Sequence, residues 1–152
     1  MGVVYKRLTY LKGLVGDNIY MFTANSTLNK QGKLVMGAGN AKAVRDIYKN
    51  IDYQFGKEIE DQEIFGVKFV QYCNLQWIGA FQTKIHWRNE SPLHVVENSV
   101  KHLKHVAERR PSWTFHLPCP AISHGKRSLQ EILPLLECLP DNVIVYIDKE
   151  VE

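Results

Sequence analysis

Val35-Met36-Gly37-Ala38-Gly39-Asn40-Ala41-Lys42 decides how this chain reads. It begins ten residues after Asn25, which ends an apolar, strand-like run from Ile19. Two glycines flank one small residue where a helical pattern starts. Glycine lets the backbone turn sharply and come close to a ligand. A helix start adds N–H groups without intrahelical partners and the positive end of the helix dipole. The combination predicts a loop that presents backbone donors to a phosphate. A Gly-x-Gly also serves ordinary helix entrances, so the weight of the motif comes from its surroundings.

The rest of the chain reads as alternating strands and helices. Residues 3–11 alternate loosely and predict a strand, and Gly13 to Asn18 a turn. Ile19 to Ala24 is mostly apolar, the mark of a strand buried on both faces. Residues 39–49 predict a helix with Ala41, Val44, Ile47 and Tyr48 on one side. Residues 67–73 and 77–82 predict two strands separated at Asn74. Ser91-Pro92 predicts a helix start, with Ser91 as N-cap, followed by Leu93, Val96, Val100, Leu103 and Val106 at helical spacing. Residues 113–117 and 143–148 predict strands, and Ser128-Leu129-Gln130-Glu131 a capping box for a helix reaching about Leu139.

This order predicts an α/β fold of three layers, α/β/α, with a central mixed sheet. The 152 residues fit one domain, 1–152. Ligands in such sheets sit at the carboxyl ends of strands. Three loops should therefore share one rim: Asn25–Gly39, Thr83–Glu90 and Pro118–Ser128.

Composition narrows the function classes. Apolar residues make up 45% and charged residues 23%, as in ordinary globular proteins. A net charge of +3 permits a phosphate-bearing ligand without requiring nucleic acid. Basic residues cluster only locally, at Lys101/Lys104 with Arg109/Arg110 and at Lys126/Arg127. Cys73, Cys119 and Cys138 have no disulfide or zinc spacing and read as buried, reduced thiols. No metal site or cofactor is expected. No apolar run is long enough to span a membrane, and a cytoplasmic, monomeric protein is the expectation.

Beyond the first loop, the chemistry-bearing residues are few. Lys84 lies between Phe81 and Trp87, and partial burial there would lower its pKa enough for nucleophilic work. A solvated surface lysine is the plain alternative. His124, beside Gly125, could bind phosphate or act as a general acid, or could simply fill a loop. Asn25 could merely end a strand. His94, His102 and His105 read as exposed on one helix. Trp77, Trp87, Phe115, Trp113 and Tyr146 read as packing residues.

Taken together, these segments resemble the macrodomains, a family that binds ADP-ribose. Asn25 with Val35-Met36-Gly37-Ala38-Gly39 is similar to the family's first ligand loop. Pro118-Cys119-Pro120-Ala121-Ile122-Ser123-His124-Gly125 is similar to the second. Leu133-Pro134-Leu135-Leu136 and Asp141-Asn142-Val143-Ile144-Val145-Tyr146 resemble its tail. Phe81-Gln82-Thr83-Lys84-Ile85-His86-Trp87-Arg88 is similar to Phe-Pro-Thr-Lys-Arg-His-Trp-Arg in antitoxin macrodomains that remove ADP-ribose from DNA. The resemblance spans the whole chain.

The resemblance implies an ADP-ribose-binding protein and a hydrolase of an ADP-ribosyl linkage on a macromolecule, with a nucleic acid as one candidate substrate. It implies that Asn25 contacts the distal ribose, with Val35, Met36, Gly37, Ala38 and Gly39 in the first ligand loop. Ile122, Ser123, His124, Gly125 and Lys126 would hold the diphosphate from the second. Lys84, His86 and His124 would carry the chemistry. Alternatives are removal of phosphate from ADP-ribose 1″-phosphate and non-catalytic binding of ADP-ribose or a related signalling nucleotide. The chain also departs from the family. Ser123, Arg127 and Ser128 stand where glycines are usual, and Arg127 matches a position where related hydrolases often carry Asp. Asn40 replaces the usual Ile. Leu14 fills the slot of an acidic residue near the adenine, with Asp17 nearby.

Overall fold

The structure, a computed structural model, describes residues 1–12, 16–73 and 76–148. The elements run β1 (Gly2–Val4), β2 (Asn18–Ala24), α1 (Gly39–Ile47), α2 (Ile51–Ile59), β3 (Val67–Tyr72), β4 (Gln76–Gln82), α3 (Leu93–Arg109), β5 (Thr114–Pro118), α4 (Leu129–Leu136) and β6 (Val143–Tyr146). The strands form one sheet in the order β1-β6-β5-β2-β4-β3. The pairings are parallel except that of β3 with β4, so the sheet is mixed as the sequence predicts.

Strand alternation distributes the core to both faces. Ile19 and Met21 of β2 join Phe81, Val100 and Leu103 of the α3 side, together with Ile132 and Leu136 of α4. Phe22 and Ala24 of the same strand face Val44 of α1 and Ile51 and Phe55 of α2. Because both faces of β2 are covered, its sequence is apolar almost throughout. The result is the three-layer α/β/α arrangement.

Several boundaries differ from the sequence reading. The strand expected over 3–11 is confined to β1. The chain beyond it runs as irregular backbone, pinned where the Tyr10 hydroxyl donates to the Met21 carbonyl at 2.6 Å. Helix α2 was not anticipated, although Ile51, Phe55 and Ile59 recur every four residues. Gly56 interrupts its helical signal for a packing reason: a Cβ there would overlap the Gly32 carbonyl oxygen. Ser91 is not the N-cap of α3; Pro92 is, without a side-chain cap. The capping box at Ser128 and Glu131 is present, and α4 ends at Leu136. Of the thiols expected to be buried, Cys119 is, whereas Cys73 and Cys138 are exposed. Asn74 and Leu14 lie outside the described residues, as do Gly13 and Val15 of the turn expected at Gly13 to Asn18.

Candidate functional site

Strands β2, β4, β5 and β6 run parallel, so their carboxyl ends share one edge of the sheet. A cleft of about 960 Å³ opens there. The three loops singled out in the sequence line it, together with the segment that follows β1. Lys84 follows β4 and Tyr146 ends β6, three strand spacings away, or about 14 Å. The cleft is therefore elongated along the sheet edge.

The first loop is built to hold an open helix end. Asn25 Nδ2 donates to the Val35 carbonyl at 3.0 Å, and Asn25 Oδ1 accepts from the Thr27 N–H at 3.0 Å. Leu34 and Met36 are buried against α1 and α2, which explains the apolar triplet in a polar loop. Gly37 follows in open space. Ala38 is the N-cap of α1 with no side-chain cap, and Gly39 takes φ +58°. No side chain thus closes this helix end, and Gly37, Ala38, Gly39 and Asn40 line the cleft. Such an end offers donors to an anion.

The second loop takes its shape at non-glycine residues. Ala121 and Lys126 adopt left-handed backbone, with φ of +69° and +60°. The Arg127 N–H closes the loop on the Ala121 carbonyl at 2.8 Å, and the Lys126 N–H on that of Ser123 at 3.0 Å. The His124 ring lies against Gly39, so the two phosphate-loop candidates touch.

The β4 loop brings Lys84 into contact with the second loop. Lys84 is 7% exposed. Its Nζ donates to the His124 carbonyl at 2.7 Å and to the Trp87 carbonyl at 3.2 Å. Burial, and then the Lys126 charge, hold its pKa below the usual lysine value. The two carbonyls oppose this by bonding to the charged form. Behind Lys84, Gln82 Nε2 donates to Ser26 Oγ, which donates to the Lys84 carbonyl. At the cleft mouth Trp87 is 45% exposed, with the Arg88 guanidinium 4.8 Å from its ring centre.

Charge along the cleft favours an anion. Lys6, Arg7, Lys84, Arg88 and Lys126 line it, against the single carboxylate of Asp148 among the described residues. Arg7 pairs with that carboxylate at 3.2 Å. Below Tyr146, the His116 ring bridges the Tyr146 hydroxyl and Asn18 Oδ1, each at 2.8 Å. With Asn18 Oδ1 accepting, Nε2 carries the ring proton and Tyr146 donates to Nδ1.

The residues expected from sequence fall into two sets. Asn25, Val35, Gly37, Ala38, Gly39, Lys84, Ile122, Ser123, His124, Gly125 and Lys126 converge on the cleft. The Met36 side chain instead lies in the core. His86 does not line the cleft; it stacks on Trp87 at 5.7 Å and accepts from the Arg88 N–H. Sequence reasoning missed Lys6, Arg7, Tyr146 and Asp148. It also assigned Trp87 to packing. Their arrival depends on where β1 and β6 sit in the sheet, and no local motif signals that. Asp17 does not reach the cleft, and its carbonyl accepts from the Thr114 N–H. No group of three His, Cys, Asp or Glu among the described residues could hold a metal. None of their helices is long and apolar enough to cross a membrane.

No protein-family model and no curated protein matches the chain. Solved structures do. The DarG macrodomain of Thermus aquaticus matches with a TM-score of 0.73 and 22% identity, over 97% of each chain. That of Mycobacterium tuberculosis DarG matches at 0.72 and 22%, over 97% of this chain and 99% of that one. DarTG of Thermosipho africanus, solved in complex with ADP-ribose, matches at 0.66 and 19% over 86% of this chain, which spans 38% of that longer one. The chain has the macrodomain fold.

Proposed function

We propose that this protein binds ADP-ribose in the cleft and cleaves an ADP-ribosyl linkage on a macromolecule. The observation that carries this reading is the convergence of three features on one edge. These are the open α1 end at Gly37–Gly39, the Ile122–Lys126 loop pressed against it through His124, and Lys84 beyond them. A diphosphate suits the first two, because preorganised backbone donors cost little to aim at an anion. Lys84 then stands at the end where the distal ribose and its linkage would lie. Asn25, with both ends of its amide already bonded to the loop, acts on that ribose chiefly by shaping the loop around it.

Lys84 works in this scheme as an ammonium. Attack as a nucleophile would require the free amine with its lone pair aimed at the anomeric carbon, whereas the ammonium bonds both carbonyls and keeps a third N–H. That third N–H is available to stabilise negative charge on the departing group. Burial keeps that charge effective. His124 is the second candidate for moving a proton.

Calorimetric titration with ADP-ribose, against ATP and NAD as controls, tests the binding. Release of ADP-ribose from modified protein and modified single-stranded DNA tests the chemistry. Selective binding with turnover on one substrate is the expected result. Binding without turnover on any linkage would leave a sequestering protein. Phosphate release from ADP-ribose 1″-phosphate, lost in His124→Ala, would assign a phosphatase instead.

A further inference from the structure

Arg127 stands where the resemblance leads one to expect glycine or an acidic residue, yet it does not line the cleft. Its Nε donates to the Ser91 carbonyl at 2.8 Å. Its Nη1 lies 3.5 Å from Glu131, one helical turn on. Its own N–H closes the second loop on Ala121. Ser91 reciprocates, donating its N–H to the Gly125 carbonyl at 3.0 Å. Ser91 is fully buried, and its hydroxyl lies where a Cβ on Gly125 would stand. The second loop is thus pinned to the segment carrying Lys84 at two points, and the Lys84–His124 bond is a third.

We infer that Arg127 is a positioning residue. It clamps the second loop to Ser91 so that the His124 carbonyl is presented to Lys84. This rests on the proposed role of Lys84 and adds to it. The clamp replaces loop shape that glycines would otherwise allow. An isolated surface ion pair such as Arg127–Glu131 contributes little. The Nε bond differs, because it is charge-assisted and reaches a carbonyl on a residue with no exposure. Without it the second loop keeps its backbone bonds, the Ser91 N–H bond to Gly125 and the Lys84 contact, but loses the side-chain anchor to the Ser91 carbonyl.

The test compares the full chain with Arg127→Ala, Arg127→Lys and Arg127→Asp. Two readouts need no ligand: the acylation rate of each lysine amine, and amide exchange at Gly125 and Arg127. The expected result for Arg127→Ala is about a tenfold rise in acylation at Lys84 with Lys42 and Lys104 unchanged, and faster exchange in the loop. Arg127→Lys, which keeps one donor, should restore part of the protection, and it carries the test by itself if Arg127→Ala does not fold. Arg127→Asp should behave like Arg127→Ala and lose turnover. Unchanged Lys84 acylation in Arg127→Ala would overturn the clamp. So would a gain of turnover in Arg127→Asp, which would make the position a vacant acid site. Failure of ADP-ribose to bind the wild type would strike the functional reading and leave the acylation result to decide the clamp.

Discussion

The Lys84 ammonium sits 2.7 Å from the His124 carbonyl oxygen, joining the loop after β4 to the loop after β5 across the carboxyl edge of β2. One side chain therefore both carries charge in the cleft and ties its walls together. Lys84→Ala is expected to lower the rate of ADP-ribosyl release by about 10²–10³-fold, the scale of a lost electrostatic contact at developing charge. Free ADP-ribose should still bind, more weakly. Initial rates and calorimetry on the same preparation separate the two effects, and an unchanged rate on every linkage would remove Lys84 from the chemistry.

The two glycines of the first loop should respond differently to alanine. Gly37 has open space around it and needs no left-handed backbone, so Gly37→Ala should leave the melting temperature unchanged while weakening ADP-ribose binding. Gly39 holds φ +58°, which costs a non-glycine residue about 1–2 kcal/mol. Gly39→Ala should therefore lose both stability and affinity. Equal stability losses in thermal melts would contradict this account of the loop.

Helix α2 offers a sharper case of conflict between propensity and packing. Alanine at position 56 gains about 1 kcal/mol of helix propensity over glycine. Its Cβ would also overlap the backbone carbonyl of Gly32, a residue that holds φ +78°. Overpacking of this kind costs about 1–3 kcal/mol. Gly56→Ala is expected to be destabilising in urea titration, and a stabilised variant would show that the loop yields freely.

Acid should weaken the fold through His116. Burial, and then the Lys6 charge, push its pKa below the usual 6.5. The unfolded chain consequently binds the proton more readily than the folded one. The stability involved is complete above about pH 6.5 and is lost as pH falls from there through the lower folded value. His102, whose Nδ1 accepts from the Val67 N–H, shifts the same way. Unfolding free energies between pH 8 and 5 should fall with acidity. His116→Gln should flatten the curve, and an unaltered slope would assign the loss to other groups.

The amino-acid order alone determined the elements whose signals are local. The Ile19–Ala24 run marked β2, the Gly37–Gly39 pair marked the start of α1, and Ser128 with Glu131 marked that of α4. Apolar spacing from Leu93 onward placed α3, and the alternation of these elements carried the three-layer class. Gly39, whose left-handed backbone is a local requirement, was legible for the same reason.

What only the tertiary structure decided depends on sheet order. Nothing near Lys6, Arg7 or Tyr146 in sequence announces a site; they reach the cleft because β1 and β6 pair at one side of β5. Met36 and His86 sit within the quoted motifs, yet packing turns the first into the core and the second onto Trp87. Arg127 read as a missing acid because motif comparison sees residue types in register. Its Nε bond to Ser91, 36 positions earlier, exists only once α3 and the second loop are brought together. Local sequence sets backbone preference and period, whereas the direction a side chain takes is chosen by contacts between distant segments.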